Sequence, residues 1–161
     1  RLIRVCADNV FLDMESFRYL YDRMTFTDAD YESFCTHDGT PSIRTHYGFW
    51  TEGVTTSALE RVATLTNESL YHEHVTNFIY ANPDKFQVRL TPVDQIIPEV
   101  EQHEGLRLTL DTAEDFSVQQ TLFGYLTDSG LDVTPQEIFR YMQTHPDVYA
   151  IMKQNIQANS K

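Results

Sequence analysis

Nine consecutive residues decide the fold of this chain: Leu108-Thr109-Leu110-Asp111-Thr112-Ala113-Glu114-Asp115-Phe116. An apolar, strand-like run ends at an aspartate, and a helix-like segment follows. Thr112 and Asp115 have the spacing of a capping box, in which each side chain binds the backbone N–H of the other residue. We therefore expect a strand over 106–110 and a helix over 112–126. In an open α/β sheet, an aspartate at the end of a strand lies at the edge where ligands bind.

A second stretch near the start has the same order, Arg4-Val5-Cys6-Ala7-Asp8-Asn9-Val10-Phe11-Leu12-Asp13. Residues 2–7 are typical of a buried strand, and Asp13 is placed to cap a following helix. Asp8 and Asp111 would then lie at one sheet edge, where two carboxylates can share Mg²⁺ with substrate phosphates. The alternative is that each aspartate only caps the helix after it. Other residues are better placed as caps, but spacing alone leaves the two interpretations balanced.

The composition is that of one globular domain, and it disfavours several classes of partner. The chain has 161 residues, 41% of them hydrophobic, which suffices for a substantial core. Its formal net charge of -12 disfavours nucleic acid and anionic membranes, although a bound metal can offset local charge for a small anion. No apolar run approaches the ~20 residues of a membrane span. With only Cys6 and Cys35 there is no disulfide framework, which predicts a reducing, cytoplasmic compartment.

Strand-like and helix-like segments alternate along the whole chain. This alternation predicts an α/β fold with a mixed, mostly parallel sheet flanked by helices, in a single domain over residues 1–161. Residues 91–105 are expected to be the least structured. The further predicted strands are 29–35, 49–55 and 86–90, and the further helices are 57–64, 67–80, 134–143 and a last segment from Pro146.

Two further clusters carry polar side chains of possible functional importance. Glu52, between Gly48 and Gly53, could accept hydrogen bonds from sugar hydroxyls, and Trp50 beside it could stack on a ring. A turn with an exposed carboxylate is the simpler interpretation and the one favoured. The segment 71–76 contains His72, Glu73 and His74. Its two histidines fall on different faces of a helix, unlike the H-E-x-x-H arrangement, so a zinc site is poorly supported.

Taken together and in order, these stretches resemble the spore-coat-polysaccharide type of cytidylyltransferase, which is related to the acylneuraminate and 3-deoxy-manno-octulosonate cytidylyltransferases. The resemblance implies a nucleotide-diphospho-sugar-transferase-like, Rossmann-like fold. It also implies transfer of CMP from CTP to a sugar or sugar acid with release of pyrophosphate, in polysaccharide or surface-glycan biosynthesis. The stretches that carry it are Arg4 to Asp13, Asp30-Tyr31, Gly48 to Glu52, His72 to Thr76, Asn82 to Phe86, Leu106 to Asp115 and Thr134 to Tyr141.

The resemblance also assigns roles to individual residues. Asp8 and Asp111 would be the catalytic residues and the ligands of Mg²⁺. The residues near the sugar and the nucleotide would be Asn9, Glu52, Glu73 and His74. Members of this group are often dimers, so a homodimer is expected as well, with the segment 144–158 as a docking element.

The chain departs from the family pattern in several places. The family's N-terminal nucleotide loop has no counterpart, and the sequence opens at Arg1 in strand-like sequence. We therefore expect a C-terminal part of a cytidylyltransferase-like domain. The departures within the motifs are Ala7 for glycine, Val10 for proline, Trp50 for aspartate and His72 for arginine. They leave two other functions open: a non-catalytic relative that binds a nucleotide sugar or a partner subunit, and a metal-dependent nucleotide hydrolase.

Overall fold

A four-stranded sheet with helices on both faces forms the centre of the computed structural model. The structure describes residues 1–159, except for the side chains of residues 72 and 73. The strands are β1 (Leu2–Arg4), β2 (Tyr31–Cys35), β3 (Glu52–Val54) and β4 (Val88–Pro92). The helices are α1 (Met14–Phe26), α2 (Thr56–Leu65), α3 (Leu70–Glu73), α4 (Asn77–Ala81), α5 (Ala113–Asp128), α6 (Pro135–Thr144) and α7 (Pro146–Ala158).

The strand order is β1-β3-β2-β4, and the sheet is mixed. β3 runs antiparallel to both β1 and β2, while β2 and β4 are parallel. The prediction of a mostly parallel sheet is therefore wrong. β1 and β2 do run in the same direction, as a strand–helix–strand unit requires, but β3 lies between them in the opposite direction.

Several predicted strands are shorter or absent in the structure. The predicted strand over 49–55 is reduced to β3, Glu52–Val54. β1 covers only Leu2–Arg4 and lies at an edge of the sheet, so Leu2 is 48% exposed rather than buried. The predicted strand over 106–110 is absent, apart from an isolated bridge between Thr109 and Asn9. The backbone N–H groups of Leu108 and Leu110 bind partners in two different segments, so no continuous ladder forms.

The helix boundaries follow the capping signals closely. Asp13 accepts a hydrogen bond from the backbone N–H of Ser16 and starts α1, as predicted. Thr112 and Asp115 form the predicted capping box of α5. The predicted helix over 67–80 is wrong in extent, because it is divided into α3 and α4.

Two hydrophobic cores lie on opposite sides of the sheet. The larger core contains Phe34 of β2 together with residues from α1, α5, α6 and α7. The smaller core packs Tyr31 of β2 against α2 and α4. All five residues of β2 are buried, because both of its faces are covered. α7, expected to dock on another copy, packs against α5 and α6 of its own chain, with Met152 1% exposed.

Candidate functional site

The two aspartate-bearing stretches of the sequence are neighbours in the structure. The backbone N–H of Leu110 donates to the carbonyl oxygen of Asp8 at 3.0 Å. Asn9 and Thr109 face each other in an antiparallel bridge. The backbones that carry Asp8 and Asp111 are thus joined directly, although a hundred residues separate them in sequence.

A third segment, residues 46–50, forms hydrogen bonds with both stretches. On one side, the N–H of Leu108 donates to the carbonyl of His46 at 2.8 Å. On the other side, the side-chain amide of Asn9 donates to the carbonyl of Trp50 at 2.9 Å. Gly48 has a φ of 71°, and a Cβ on it would lie 2.6 Å from the carbonyl oxygen of Leu108. The close approach of the two backbones therefore requires glycine at this position.

Asp111 is oriented by its neighbours. Its Oδ2 atom accepts hydrogen bonds from Arg107 at 3.0 Å and from the hydroxyl of Thr109 at 2.9 Å. The side chain remains 33% exposed, so the carboxylate is fixed from the protein side and faces solvent in part. Because hydrogen bonds already hold this carboxylate in one orientation, it would lose little side-chain entropy on binding a cation.

Arg107, which the sequence did not single out, organises this part of the molecule. It is 1% exposed, and its guanidinium binds Asp115 through two hydrogen bonds of 2.7 and 2.9 Å. It also contacts Nδ1 of His46 at 2.7 Å and donates to Asp111. Burial acts to raise the pKa of Asp115, but the hydrogen bonds from Arg107 and from the N–H of Asp111 outweigh it, and the pKa is lowered. The only signal in the sequence was an arginine in an otherwise apolar run.

Glu52 lies in β3 and is 1% exposed, so the favoured expectation of a turn with an exposed carboxylate is wrong. Its carboxylate accepts hydrogen bonds from Arg4 at 2.6 Å, from Thr76 at 3.0 Å and from the hydroxyl of Tyr31. Trp50 is also buried, with its ring 4.8 Å from that of Phe34, and is therefore not an exposed stacking platform.

The 72–76 stretch reaches Glu52 through Thr76. The hydroxyl of Thr76 is buried and donates to the carboxylate oxygens of Glu52. His74 is exposed and directly follows the last residue of α3. Its backbone N–H donates a hydrogen bond to the carbonyl oxygen of Leu70. The side chain of Glu73, predicted to bind substrate, lies outside the described part of the structure.

Asp8 and Asp111 are the residues predicted to hold a cation. Asp8 and Asp111 supply carboxylate oxygens, the ligands that Mg²⁺ prefers, and Mg²⁺ commonly uses one or two carboxylates together with waters and phosphates. In the described residues, no group of three or more His, Cys, Asp or Glu side chains is placed to hold a metal ion.

Comparison with solved structures identifies a protein that shares this fold. No protein-family model matches the chain. A solved cytidylyltransferase from Leptospira borgpetersenii superposes on 91% of the chain with a TM-score of 0.70 and 18% identity. The chain therefore has the fold of that cytidylyltransferase over the matched region, and it covers 57% of that protein.

A relative at the sequence level is an uncharacterized protein of Methanocaldococcus jannaschii, MJ1063. It is 29% identical over 148 residues, which are 91% of this chain and 55% of the relative. The chain thus spans about half the length of the proteins that it matches. In residues 1–159, no helix combines the length and the apolar character needed to cross a membrane.

Proposed function

We propose that this chain carries the metal and acceptor portion of a nucleotidyltransferase that moves CMP from CTP to a sugar or sugar acid and releases pyrophosphate. The observation that carries the proposal is the hydrogen bond between the N–H of Leu110 and the carbonyl oxygen of Asp8, which brings the backbones that carry Asp8 and Asp111 together. The shared fold with a cytidylyltransferase supports it. Spore-coat-type specificity, CTP as the donor and a homodimer are further parts of the proposal.

In this proposal Asp8 and Asp111 hold Mg²⁺, which supplies charge neutralisation at the phosphates when bound. Attack at an α-phosphorus depends on placement and charge stabilisation more than on covalent help. Arg107 and Thr109 keep the Asp111 carboxylate in one orientation. Asn9 keeps the backbone of Trp50 beside Asp8.

Glu52 has a positioning role in the same proposal. Because Tyr31, Thr76 and Arg4 all bind its carboxylate, Glu52 connects β1 and β2 with the end of the 72–76 stretch. His74 and Glu73, the proposed sugar-binding residues, precede Thr76 by two and three residues. The Arg4 side chain is 34% exposed, and its charge is paired with the Glu52 carboxylate at 2.6 Å.

The test is the thermal stability of the chain with Mg²⁺ and with CTP, UTP, ATP or GTP in turn. A ligand that binds only the native state adds about 2.7 kcal/mol to the unfolding free energy at a hundred times its dissociation constant. We expect a magnesium-dependent rise in Tm with CTP that Asp111→Asn abolishes. The control, Asp128→Asn, changes an exposed aspartate at the end of α5 and should leave the rise intact.

Turnover assays then separate the three functions that the sequence left open. Release of pyrophosphate that requires a sugar acceptor supports the transferase. Release with water as the acceptor identifies a hydrolase. A rise in Tm without turnover identifies a non-catalytic relative, and no rise with any of the four nucleotides contradicts a metal-dependent nucleotide site in this chain.

A further inference from the structure

Helix α7 contacts the buried carboxylate of Asp115 through one polar side chain. The side-chain amide of Asn155, a half-buried residue of α7, donates to Oδ1 of Asp115 at 3.2 Å. Met152 of the same helix is 1% exposed and belongs to the larger core, so α7 is fixed in place beside this contact. The contact therefore connects α7 with the start of α5.

The two carboxylate oxygens of Asp115 have different partners. Oδ1 accepts from Nε of Arg107 at 2.7 Å as well as from Asn155. Oδ2 accepts from Nη2 of Arg107 at 2.9 Å and from the backbone N–H groups of Asp111 and Thr112 at 3.1 and 2.9 Å. Asn155 thus supplies a second donor to the oxygen that receives Nε. Loss of this donor would leave the carboxylate freer to rotate.

Arg107 transmits the orientation of Asp115 to Asp111. Its Nη2 atom donates both to Oδ2 of Asp115 at 2.9 Å and to Oδ2 of Asp111 at 3.0 Å. The guanidinium is planar and holds its N–H groups in a fixed fork. A rotation of the Asp115 carboxylate would therefore tilt the whole fork and move the N–H group that Asp111 accepts.

We propose that Asn155 is a positioning residue for Asp111 and acts on it through Asp115 and Arg107. The positioning role rests on the proposed function, because it serves the binding of a cation at Asp111. An amide suits this place, since it donates as a neutral group and adds no charge that competes with Arg107 for the carboxylate. An aspartate at position 155 would instead repel Asp115.

A second polar contact of α7 supplies the matched control. The hydroxyl of Tyr149 accepts from the backbone N–H of Gly105 at 3.1 Å. Among the described residues, this hydroxyl forms no hydrogen bond with Asp115 or Arg107. Tyr149→Phe and Asn155→Ala therefore each remove one hydrogen bond of α7, but only Asn155→Ala removes the contact with Asp115.

Nuclear magnetic resonance at pH 7, without metal or nucleotide, tests the coupling directly. The two signals are the side-chain carboxyl carbon of Asp111 and the Nε–H group of Arg107, assigned with Asp111→Asn and Arg107→Lys. We expect Asn155→Ala to shift both signals and to speed exchange of the Arg107 Nε–H with water about threefold to tenfold, the effect of one hydrogen bond. Asn155→Asp, which has nearly the same shape, should shift both further. Tyr149→Phe should leave both unchanged.

The proposal is overturned if Asn155→Ala leaves both signals in place, or if Tyr149→Phe shifts them as much. Near-ultraviolet circular dichroism checks that each variant folds, and Asn155→Ala alone decides if Asn155→Asp does not fold. In the nucleotide test, Asn155→Ala should raise the Mg²⁺ concentration for the half-maximal rise in Tm about threefold to tenfold. An unchanged Mg²⁺ requirement would also overturn the positioning role. Shifted signals without any rise in Tm would retain the coupling to Asp111 and reject the nucleotidyltransferase function.

Discussion

Arg107 and Asp115 form a buried ion pair in which both partners have side chains that are 1% exposed. Two hydrogen bonds, of 2.7 and 2.9 Å, join the guanidinium to the carboxylate. The same carboxylate caps α5, and the same guanidinium orients Asp111. One buried pair therefore links the start of a helix to the geometry of a candidate metal ligand.

Replacing Arg107 with methionine should be strongly destabilising. Removal of one partner of a buried pair leaves an uncompensated charge, which typically costs about 3–5 kcal/mol. The measurement is the free energy of unfolding from urea denaturation. Arg140→Met is the matched control, because Arg140 is 66% exposed at its side chain and pairs with Glu137 on the surface of α6. It should cost less than about 1 kcal/mol, and equal losses in the two variants would contradict the buried role of Arg107.

The same pair should make stability depend on acid pH. The pKa of Asp115 is lowered in the folded protein, so the unfolded chain takes up the proton first as pH falls. The stability from the pair is present above the unfolded pKa of about 3.9 and is lost as pH falls through the folded pKa. The difference in unfolding free energy between the unmodified chain and Arg107→Met should therefore be larger at pH 6 than at pH 2.5. A difference that does not change with pH would show that the charge of Asp115 is not involved.

Gly48→Ala should move residues 46–50 away from Leu108 and so disturb the candidate site. A Cβ at this position would lie 2.6 Å from the carbonyl oxygen of Leu108, and the φ of 71° is itself unfavourable for alanine. Gly39→Ala is the control, since Gly39 has a φ of 84° but no atom within 4 Å of the added Cβ. In both variants, holding alanine in the left-handed backbone conformation should lower the free energy of unfolding by about 1–2 kcal/mol. Only Gly48→Ala should lose more than this in urea denaturation, and it should also weaken the magnesium-dependent effect of CTP on Tm.

Tyr31 should control stability at alkaline pH. Burial raises the pKa of its hydroxyl well above the ordinary value, and the charge of Glu52 raises it further. In the unfolded chain Tyr31 ionises near pH 10, so its contribution is fully present below about pH 10 and is lost as pH rises toward the folded pKa. Tyr31→Phe should reduce this alkaline loss of unfolding free energy.

The control for Tyr31 is Tyr21→Phe, which changes a tyrosine that is 59% exposed. It should retain the alkaline loss seen in the unmodified chain. The absorbance of ionised tyrosine at high pH gives a second measurement, because Tyr31 should ionise only when the protein unfolds. A fully reversible titration of all nine tyrosines in the folded state would contradict the prediction.

Local signals in the sequence predicted local structure well. Asp13, Thr112 and Thr134 each start a helix within a residue of the expected position, because a capping side chain acts only on the N–H groups of its own first turn. The predicted strand over 29–35 corresponds to β2, Tyr31–Cys35, which starts two residues later than expected. Asp8 and Asp111 were expected together because both follow strand-like runs. A backbone hydrogen bond does join their stretches, although β1 ends at Arg4 and the run before Asp111 forms no strand.

The sequence by itself therefore determined most helix starts and the mixture of strands and helices, since these depend on nearest neighbours and on periodicity. Only the tertiary structure decided that β3 enters between β1 and β2, that Glu52 is buried, and that Arg107 connects Asp115 with Asp111. These features depend on contacts between residues distant in sequence. A buried arginine or glutamate has the same local signature as an exposed one until its partner is known, because the partner supplies the energy that offsets desolvation.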